Sequence, residues 1–570
     1  MSLGAGPGPQ MARRTFLRRA VVATGLPVLA GLGYGLDALA SGSTSPPPQR
    51  RRPATTTTTT EAPTATTVLP SGVAVPTAAW VRDENAQPGT LDWIVSTVQS
   101  PQAIEGFAGA VSAAAGEAVP LFVSTSARSF HVEAYRMGYY QGLGARLVWR
   151  SDTATGKRQP PPVVLSGTNT VECHWDPSLM VHVDSTWPSG AYLLKLVGDG
   201  GEQQFVPLCV RDDDSTAAFV VQHSVTTWQA YNLWGGYSLY FGSTGGALSY
   251  GQSVAGKDFA HRARIVSFDR PYPESWAHGA SDFLGNEFPL VYDMERLGLD
   301  LTYVTDVDVH RDPRLLLGHR CLFSLGHDEY WSLEMRQGAA AARDAGVNLA
   351  FLGANACYRP IRFEASPIGP ERHQVCYKSA AEDPMSTSDP ARSTPVMWAA
   401  SPTSWPESEL VGSMYQDVGA SADLVVADPD GWLWAGTGVH AGQAVSQVVL
   451  GEYDRFDPSR AGPRNVEILA HSPVANRGRN RYSDVTWYTV PGGGGVLATG
   501  TSAWVNKLSS TAGVPAAILP APVPGVTPLL LRAMENVYSV LGTGPASTSH
   551  PSLENWEQVA PPAPASTPSA

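Results

Sequence analysis

The sequence predicts a chain with an all-β N-terminal domain followed by an α/β domain built on a parallel sheet. Short alternating runs such as "SFHVEAYRMG" and "GAYLLKLVG" are separated by turn signals as far as Arg211. Runs of this kind are typical of a two-sheet β-sandwich of immunoglobulin-like type. After Asp214, apolar strands alternate with amphipathic helical segments, which indicates βαβ units on a parallel sheet.

The composition is that of a large folded protein. The chain has 570 residues, of which 43% are hydrophobic and 16% are charged, so it can bury a large core. Its net charge of -12 repels nucleic acids and anionic membranes, and we predict neither as a partner. No stretch after residue 40 approaches ~18 uninterrupted apolar residues. We therefore predict no transmembrane domain after the N-terminal signal.

The N-terminus has the pattern of a twin-arginine export signal. Arg13 and Arg14 precede a mild apolar stretch over 20–36, and Ala38-Leu39-Ala40 forms an A-x-A cleavage site. The alternative is a membrane anchor that stays attached, which glycine and proline within the apolar stretch disfavour. We predict export in the folded state and an extracytoplasmic location, either secreted or at the cell surface.

These patterns divide the chain into five segments. The predicted segments are a signal peptide (1–40), a Ser/Thr/Pro-rich linker (41–78), the immunoglobulin-like sandwich (79–213), the α/β domain (214–543) and a disordered tail (544–570). Within the α/β domain, the predicted strands are "AAFVVQHS", "LTYVTDVDV", "CLFSLG" and "VNLAFLGAN", and the predicted helices are "PLVYDMERLGL" and "SLEMRQGAAAARDAG".

The cysteines have no zinc-site spacing. In an exported protein, Cys173, Cys209, Cys321, Cys357 and Cys376 are expected to form disulfides more often than metal sites. We predict the pairs Cys357–Cys376 and Cys173–Cys209, with Cys321 as a buried thiol in a strand.

Polar side chains cluster where the predicted parallel strands end. "SLGHDEYW" follows one strand and "GANACYR" another, and Tyr231 and Tyr240 follow a third. Alone, Glu329 could cap the next helix and His327 could be a core histidine. Because ligands bind beyond the carboxyl ends of parallel strands, the clustering favours a functional site.

Four motifs carry a resemblance to a known family. "TWQAYNLWGGYSLY", "VTDVDVH", "SLGHDEYWS" and "LGANACYR", in that order, resemble the large (beta) subunit family of N,N-dimethylformamidase. The similarity covers roughly 214–541, with a looser likeness in the preceding sandwich. It implies that the α/β domain has a fold similar to class I glutamine amidotransferases. The family's small partner subunit is not part of this chain.

The resemblance also implies a site. Tyr231, Tyr240 and Glu329 match the ligands of a mononuclear Fe(III) ion, and His327 matches the family's active-site histidine. The remaining matches are Asn355, which corresponds to a supporting amide, and Lys378 and Glu452, which correspond to other polar site residues.

The implied chemistry is coherent. Phenolate and carboxylate oxygens are hard donors that favour Fe(III). A metal with an open coordination position polarises an amide carbonyl and lowers the pKa of water, while His327 would orient that water or shuttle a proton. A rival mechanism needs Cys357 as the nucleophile, but its surroundings lack a glycine-flanked elbow.

Two classes of function remain open. The first is a metal-dependent hydrolase of C–N amide bonds that acts on a small amide, with assembly into a homo-oligomer left open. The second is an exported, non-catalytic protein that binds a cell-wall glycan or peptide. Its candidate sugar-stacking residues are Trp175, Trp228, Trp234, Trp276 and Trp331.

The export signal yields a direct test. Replacing Arg13 and Arg14 together by Lys should leave the precursor in the cytoplasm, because the arginine pair is the recognised feature of this pathway. Immunoblots of cytoplasmic and secreted fractions measure the effect, with Arg18→Lys and Arg19→Lys as the control. Normal secretion of the Arg13/Arg14 variant would contradict the prediction.

Overall fold

The structure is a computed structural model in which residues 64–95, 102–243, 257–476, 478–509 and 520–560 are described. The predicted signal peptide and residues 41–63 of the predicted linker lie outside these ranges.

The described end of the predicted linker is folded. Strands β1 (Ala65–Val68) and β2 (Ala74–Thr77) form an antiparallel hairpin, and helix α1 (Ala79–Asn85) follows. Val75 is fully buried in the main apolar cluster. The linker therefore ends earlier than predicted, because its Thr-rich composition concealed a hairpin whose second strand, β2, is largely buried.

Two sheets follow in the region predicted to be all-β. Their strands are β3 (Ile104–Ala108), β4 (Ser112–Ala114), β5 (Ala118–Thr125), β6 (Ser129–Met137), β7 (Ala145–Arg150), β8 (Ala154–Thr155), β11 (Leu179–His182), β12 (Gly190–Gly198) and β13 (Gln203–Arg211), and a separate hairpin contains β9 (Val163–Leu165) and β10 (Thr170–Glu172). One sheet has the order β11-β5-β3, and the other has the order β4-β13-β12-β6-β7 with β8 paired to β6. Both sheets contribute side chains to one apolar cluster, which includes Leu121, Val132 and Leu194. The alternating runs predicted that one face of each strand would be apolar.

A seven-stranded sheet forms the centre of the predicted α/β domain. Its strands are β14 (Phe219–His223), β18 (Leu301–Thr305), β19 (Cys321–Gly326), β21 (Asn348–Gly353), β26 (Glu467–Asn476), β27 (Arg479–Thr489) and β28 (Gly495–Ala498). The order is β18-β14-β19-β21-β28-β27-β26. The first five strands are parallel, and the last two are antiparallel to their neighbours. The four predicted parallel strands are confirmed as neighbours.

Helices connect and flank these strands. They are α2 (Val225–Tyr231), α3 (Phe283–Asn286), α4 (Phe288–Arg296), α5 (Asp306–Arg311), α6 (Leu333–Asp344), α7 (Met385–Ser388), α8 (Ser408–Val411), α9 (Thr527–Leu541), α10 (Ala546–Ser549) and α11 (Trp556–Val559). Helices α4 and α6 confirm the two predicted helices. The strand that was predicted to continue to Val309 ends at Thr305. The Thr305 hydroxyl accepts a hydrogen bond from the backbone amide of Asp308 at 3.3 Å, in a capping box that starts α5.

A smaller four-stranded sheet lies beside the ends of the parallel strands. Other strands outside the main sheet are β15 (Gly242–Ser243), β16 (Lys257–Asp258), β17 (Ile265–Ser267), β20 (Tyr330–Ser332), β22 (Arg359–Glu364), β23 (His373–Val375), β24 (Met414–Val425) and β25 (Ala444–Arg455). The small sheet has the order β17-β23-β22-β20, and β24 pairs with β25 in a long hairpin. Strand β20 begins directly after Glu329, β22 begins at Arg359, and Lys378 follows β23 closely, so this sheet fixes the backbone around the polar cluster.

The predicted disordered tail is ordered as far as Ala560. Asn555 Oδ1 accepts a hydrogen bond from the Ile468 amide at 2.7 Å, and the Trp556 ring packs on Phe456 with 5.5 Å between centroids. The prediction was wrong for this stretch because a few anchoring side chains outweigh its Pro/Ser/Thr bias. Residues 561–570 lie outside the described ranges.

The predicted disulfides are absent, and all five cysteines are free and buried. Cys357 packs in the apolar cluster that contains Trp331, whereas Cys376 packs in the cluster that contains Tyr330. Cys173 and Cys209 likewise belong to different clusters. The disulfide prediction was wrong because sequence spacing does not reveal in which apolar cluster a thiol packs. The prediction of a buried thiol at Cys321 is confirmed.

Within the described ranges, no helix combines the length and the hydropathy needed to cross a lipid bilayer.

A buried ion pair joins the N-terminal sheets to the α/β region. The Arg136 side chain from β6 donates to Glu295 of α4 at 2.6 and 3.2 Å, and neither side chain is exposed. The Tyr303 hydroxyl also donates to Glu295, at 2.8 Å. Such a pair is stable only while both partners and their hydrogen bonds are present.

We expect Glu295→Gln to lower the free energy of unfolding by about 3–5 kcal/mol, because Arg136 would be left buried without its counter-charge. Combining it with Arg136→Met should recover part of the loss. Urea unfolding followed by circular dichroism measures both effects. Asp199→Asn, which removes the partner of the exposed Arg128, is the control and should change little. A Glu295→Gln protein as stable as the wild type would contradict the prediction.

Candidate functional site

The cluster of predicted site residues is built around helix α2. This helix follows β14 after one residue and ends at Tyr231, so the direction of the parallel strand places the tyrosine at the carboxyl edge of the sheet. The Tyr240 ring stacks on the Tyr231 ring, with 4.6 Å between centroids and 27° between planes. The two phenols therefore form one face of the cluster.

Glu329 completes a set of three oxygen-bearing side chains. The Tyr231 hydroxyl donates to Glu329 Oε2 at 2.7 Å, the Tyr240 hydroxyl donates to Oε1 at 2.6 Å, and the two hydroxyl oxygens are 3.0 Å apart. Glu329 has no exposed surface. The structure thus brings together the three residues predicted as metal ligands.

The electrostatics of the set depend on burial and on one guanidinium. Burial raises the pKa of both phenols well above the ordinary value, and the charge of Glu329 raises it further, so each phenol keeps its proton and donates it. Burial would also raise the pKa of Glu329. His327 and the Arg359 guanidinium, whose Nε is 3.0 Å from Oε1, instead hold this pKa well below its ordinary range.

His327 lies between two carboxylates. Its Nε2 atom is 2.9 Å from Glu452 Oε2 and 3.5 Å from Glu329 Oε2, and its Nδ1 atom is 4.0 Å from Asp282 Oδ2. Burial lowers the pKa of His327, but the charges of Glu452 and Glu329 raise it well above the ordinary value. In this arrangement His327 is a cation between carboxylates.

Asn355 and Lys378 border the same cluster. The side-chain Nδ2 of Asn355 donates to Glu452 Oε2 at 3.0 Å, and the backbone N–H of Asn355 donates to Asp454 Oδ1 at 2.8 Å. Asn355 has a φ of 60°, a left-handed conformation that asparagine tolerates better than most residues. Lys378 Nζ lies 3.1 Å from the centroid of the Tyr240 ring and has no hydrogen-bond partner within the described ranges. All seven predicted residues therefore belong to one cluster.

Sequence reasoning missed Arg359, Asp282 and Thr227. Arg359 ends the motif "GANACYR", and its side chain reaches Glu329 and balances the charge of that carboxylate. Asp282 comes from the start of α3, in a segment without a distinctive motif. Of the three, only Arg359 lies within a motif that the sequence singled out.

Hydroxyl and amide side chains tie the Glu329 turn to helix α2. Asp328 accepts from Gln222 Nε2 at 2.8 Å, the Glu329 amide donates to Thr227 Oγ1 at 2.9 Å, and Thr226 Oγ1 donates to the Tyr330 carbonyl at 2.8 Å. Three consecutive residues of the turn are thereby bonded to the strand and helix that lead to Tyr231. These bonds set the distance between Tyr231 and Glu329.

Other chemistries fit the residues less well. Burial raises the pKa of the Cys357 thiol to about 12, which leaves it protonated and a poor nucleophile. Across 64–95, 102–243, 257–476, 478–509 and 520–560, no three His, Cys, Asp or Glu side chains are placed to hold a metal ion. The assignment of Tyr231, Tyr240 and Glu329 as metal ligands stays a prediction.

The fold and the cluster define an α/β protein with a buried, oxygen-rich site at the carboxyl edge of its parallel sheet. Residues 131–516 match the family described as "N,N-dimethylformamidase beta subunit-like, C-terminal", and this match covers about two thirds of the chain. The chain belongs to that family. The matched residues include all seven members of the cluster.

The other comparisons add little. No curated protein matches the chain. Among solved structures, the crystal structure of murine CEACAM1b aligns at 14% identity with a TM-score of 0.11, over 21% of this chain and 62% of that one. The chain thus spans less than two thirds of that structure, and the likeness carries no argument.

The bond between Thr227 and the Glu329 amide can be tested alone. Thr227→Val keeps the side-chain shape but leaves a buried amide without an acceptor, so we expect the free energy of unfolding to fall by about 1–3 kcal/mol. Thr227→Ser keeps the hydroxyl and should lose much less. Urea unfolding of both variants provides the measurement, and equal losses in the two would show that the hydroxyl contributes nothing.

Proposed function

We propose that this chain is a metal-dependent hydrolase of C–N amide bonds in small amides, with Fe(III) held by Tyr231, Tyr240 and Glu329. Membership of the dimethylformamidase-like family supports a hydrolase of small amides. The metal and its oxidation state rest on the chemistry of the site itself.

The observation that carries the proposal is the convergence of three hard oxygen donors in a buried position. Their oxygens lie within 3.0 Å of one another, yet they come from helix α2, the segment that follows it and the turn after β19. Metal binding would release the two phenol protons, and the resulting phenolates together with the carboxylate would carry three negative charges, which a trivalent cation would balance. Hard oxygen donors also favour Fe(III) over zinc or copper.

A bound ferric ion would supply Lewis acidity that polarises the amide carbonyl and activates water. The chain's own residues would manage protons and orientation. His327, held by Glu452 and Asp282, is placed to pass a proton to the leaving amine. Asn355 orients Glu452 through its 3.0 Å hydrogen bond, and Lys378 offers a buried amine beside Tyr240.

The burial of the tryptophans disfavours the alternative of a glycan-binding protein. Trp175, Trp228, Trp234 and Trp331 are at most 7% exposed, so their ring faces are covered by protein and cannot stack on a sugar. Trp276 alone of the five is partly exposed.

Two further features belong to the proposal. We assign the N-terminal sheet pair to the immunoglobulin-like class and the parallel sheet to a class I glutamine-amidotransferase-like fold, on the pattern of their strands. The arginine pair near the N-terminus supports export by the twin-arginine pathway, with the enzyme acting outside the cytoplasm.

The metal site predicts a coloured protein. Phenolate bound to Fe(III) absorbs visible light, so protein purified from iron-replete cells should be coloured and contain about one iron per chain. Tyr231→Phe, Tyr240→Phe and Glu329→Gln should each weaken the colour and lower the iron content at least about tenfold at limiting iron, because each removes one donor. Elemental analysis and visible spectra measure this.

Tyr330→Phe is the matched control. Its hydroxyl is buried beside the cluster but bonds to nothing within the described ranges, so its loss should leave colour and iron unchanged. His327→Ala should keep the iron while amine release from small formamides or acetamides falls by about 10²–10⁴. A colourless wild-type protein without a transition metal would overturn the proposal.

A further inference from the structure

The polar cluster is unevenly exposed to solvent. Glu329 has no exposed surface, whereas the side chains of His327 and Glu452 are 13% and 16% exposed. Tyr231 and Tyr240 are also partly exposed. A substrate reaches the cluster where its side chains meet solvent, and His327 belongs to that surface.

A segment over 276–286 lies against His327. Helix α3, which ends this segment, packs so closely on Gly326, the residue before His327, that a Cβ atom on Gly326 would collide with the backbone carbonyl of Asn286. Asp282 precedes α3, and its Oδ2 atom is 4.0 Å from His327 Nδ1. The segment therefore borders the imidazole.

Trp276 begins this segment and contacts the same carboxylate. Burial raises the pKa of the Asp282 carboxyl, while His327 and hydrogen bonds from Asn286 and Trp276 act in the opposite direction. The indole is partly exposed, and the Tyr272 ring is nearly perpendicular to it at 6.0 Å between centroids. One carboxylate thus connects the Trp276 indole with the His327 imidazole, and part of the indole surface meets solvent.

The backbone after Trp276 has an unusual conformation. Three residues with a side chain adopt left-handed φ values there: Ala277 (49°), His278 (54°) and Ser281 (59°). Gly279 has a φ of 90°, and a Cβ atom on it would be 2.5 Å from the backbone carbonyl oxygen of Phe205 in β13. Such conformations are costly and persist where the surrounding structure requires them. The contact with β13 therefore holds the segment, and with it Trp276, beside His327.

Partly exposed apolar and aromatic side chains also border the cluster near Arg359. The Tyr415 ring of β24 is 5.0 Å from the Tyr358 ring, and the Arg359 guanidinium lies 4.7 Å from the centroid of the Tyr358 ring. Val396, which is 41% exposed, accepts a hydrogen bond from Arg359 Nη1 through its carbonyl. Arg359 in turn contacts Glu329. The surroundings of the polar cluster thus suit a ligand with an amide at one end and an apolar group at the other.

We propose that Trp276 is a specificity-determining residue for an aromatic group on the amide nitrogen, so that the preferred substrates are N-aryl amides such as formanilide. The placement of the substrate rests on the proposed hydrolase, in which His327 protonates the leaving nitrogen. The substituent of that nitrogen then lies beside His327 and the segment that carries Trp276. An indole whose N–H is bonded to the protein offers a fixed, flat surface to an aromatic ring.

The reaction on such a substrate is a hydrolysis that consumes one water. The bond between the carbonyl carbon and the nitrogen breaks, and the water oxygen bonds to that carbon. The nitrogen leaves as an aromatic amine after taking up a proton from His327, which a proton of the water replaces. Formanilide would give formic acid and aniline.

Paired amides test the assignment. Formamide and formanilide differ only in the phenyl group on nitrogen, and their affinities for the full chain from iron-replete cells follow from the concentration dependence of the melting temperature. We expect the wild type to bind formanilide at least about tenfold more tightly than formamide, and Trp276→Ala should remove most of this preference. Trp276→Phe keeps an aromatic ring and should keep most of it. Trp276→Leu, which fills more of the space than Ala, should behave like Trp276→Ala and replaces it if that variant does not fold.

Benzamide and a second tryptophan are the controls. Benzamide has its ring on the carbonyl carbon, so Trp276→Ala should weaken its binding less than that of formanilide. Trp556 is also partly exposed and donates its N–H to the Arg464 carbonyl at 3.0 Å, but its contacts lie outside the polar cluster, so Trp556→Ala should keep the preference for formanilide.

Three results would overturn the proposal. They are equal affinities for formamide and formanilide in the wild type, an unchanged preference in Trp276→Ala, and an equal loss for benzamide and formanilide in that variant. Release of aniline is measured separately. A preference that depends on Trp276 in a protein that releases no aniline would support the binding assignment and contradict the hydrolase.

Discussion

The arrangement of the site depends on the burial of a single carboxylate, that of Glu329. A charged carboxylate without exposed surface costs several kcal/mol unless partners surround it. Arg359 and the two phenols supply those partners, and each comes from a different element of the fold. Three elements must therefore meet at the turn after β19: helix α2, the segment before Tyr240, and strand β22. The small sheet that contains β20 and β22 holds them there.

The part of the site that could be predicted is the part that follows parallel strands. Tyr231, Glu329 and Asn355 come soon after β14, β19 and β21, which are neighbours in the sheet, so chain direction alone brings them to one edge. Lys378 and Glu452 come after an antiparallel strand and from a long hairpin. Strand periodicity carries no information about where such elements dock, and only the family resemblance pointed to these two residues.

The features that sequence reasoning missed depend on tertiary packing. The Thr-rich segment before residue 78 contains a hairpin because Val75 reaches the core, and the tail is ordered because Asn555 and Trp556 dock on β26 and its surroundings. The prediction of the cysteine pairs was wrong for the same reason, since the two members of each pair pack in different apolar clusters. Composition describes the average behaviour of a segment, whereas one buried or hydrogen-bonded side chain can determine whether that segment is ordered.

The β24–β25 hairpin has a consequence for how this site can change over evolution. Tyr231, Tyr240 and Glu329 come from one continuous third of the α/β region, but Glu452, the closest acid to His327, is contributed by the hairpin, which is synthesised much later. The oxygen donors and the carboxylate that contacts His327 are thus encoded in separate parts of the chain. Substitutions in the hairpin can change the charge beside His327 without removing any of the three donors, so descendants of one ancestral chain can differ at this position while sharing the same buried core.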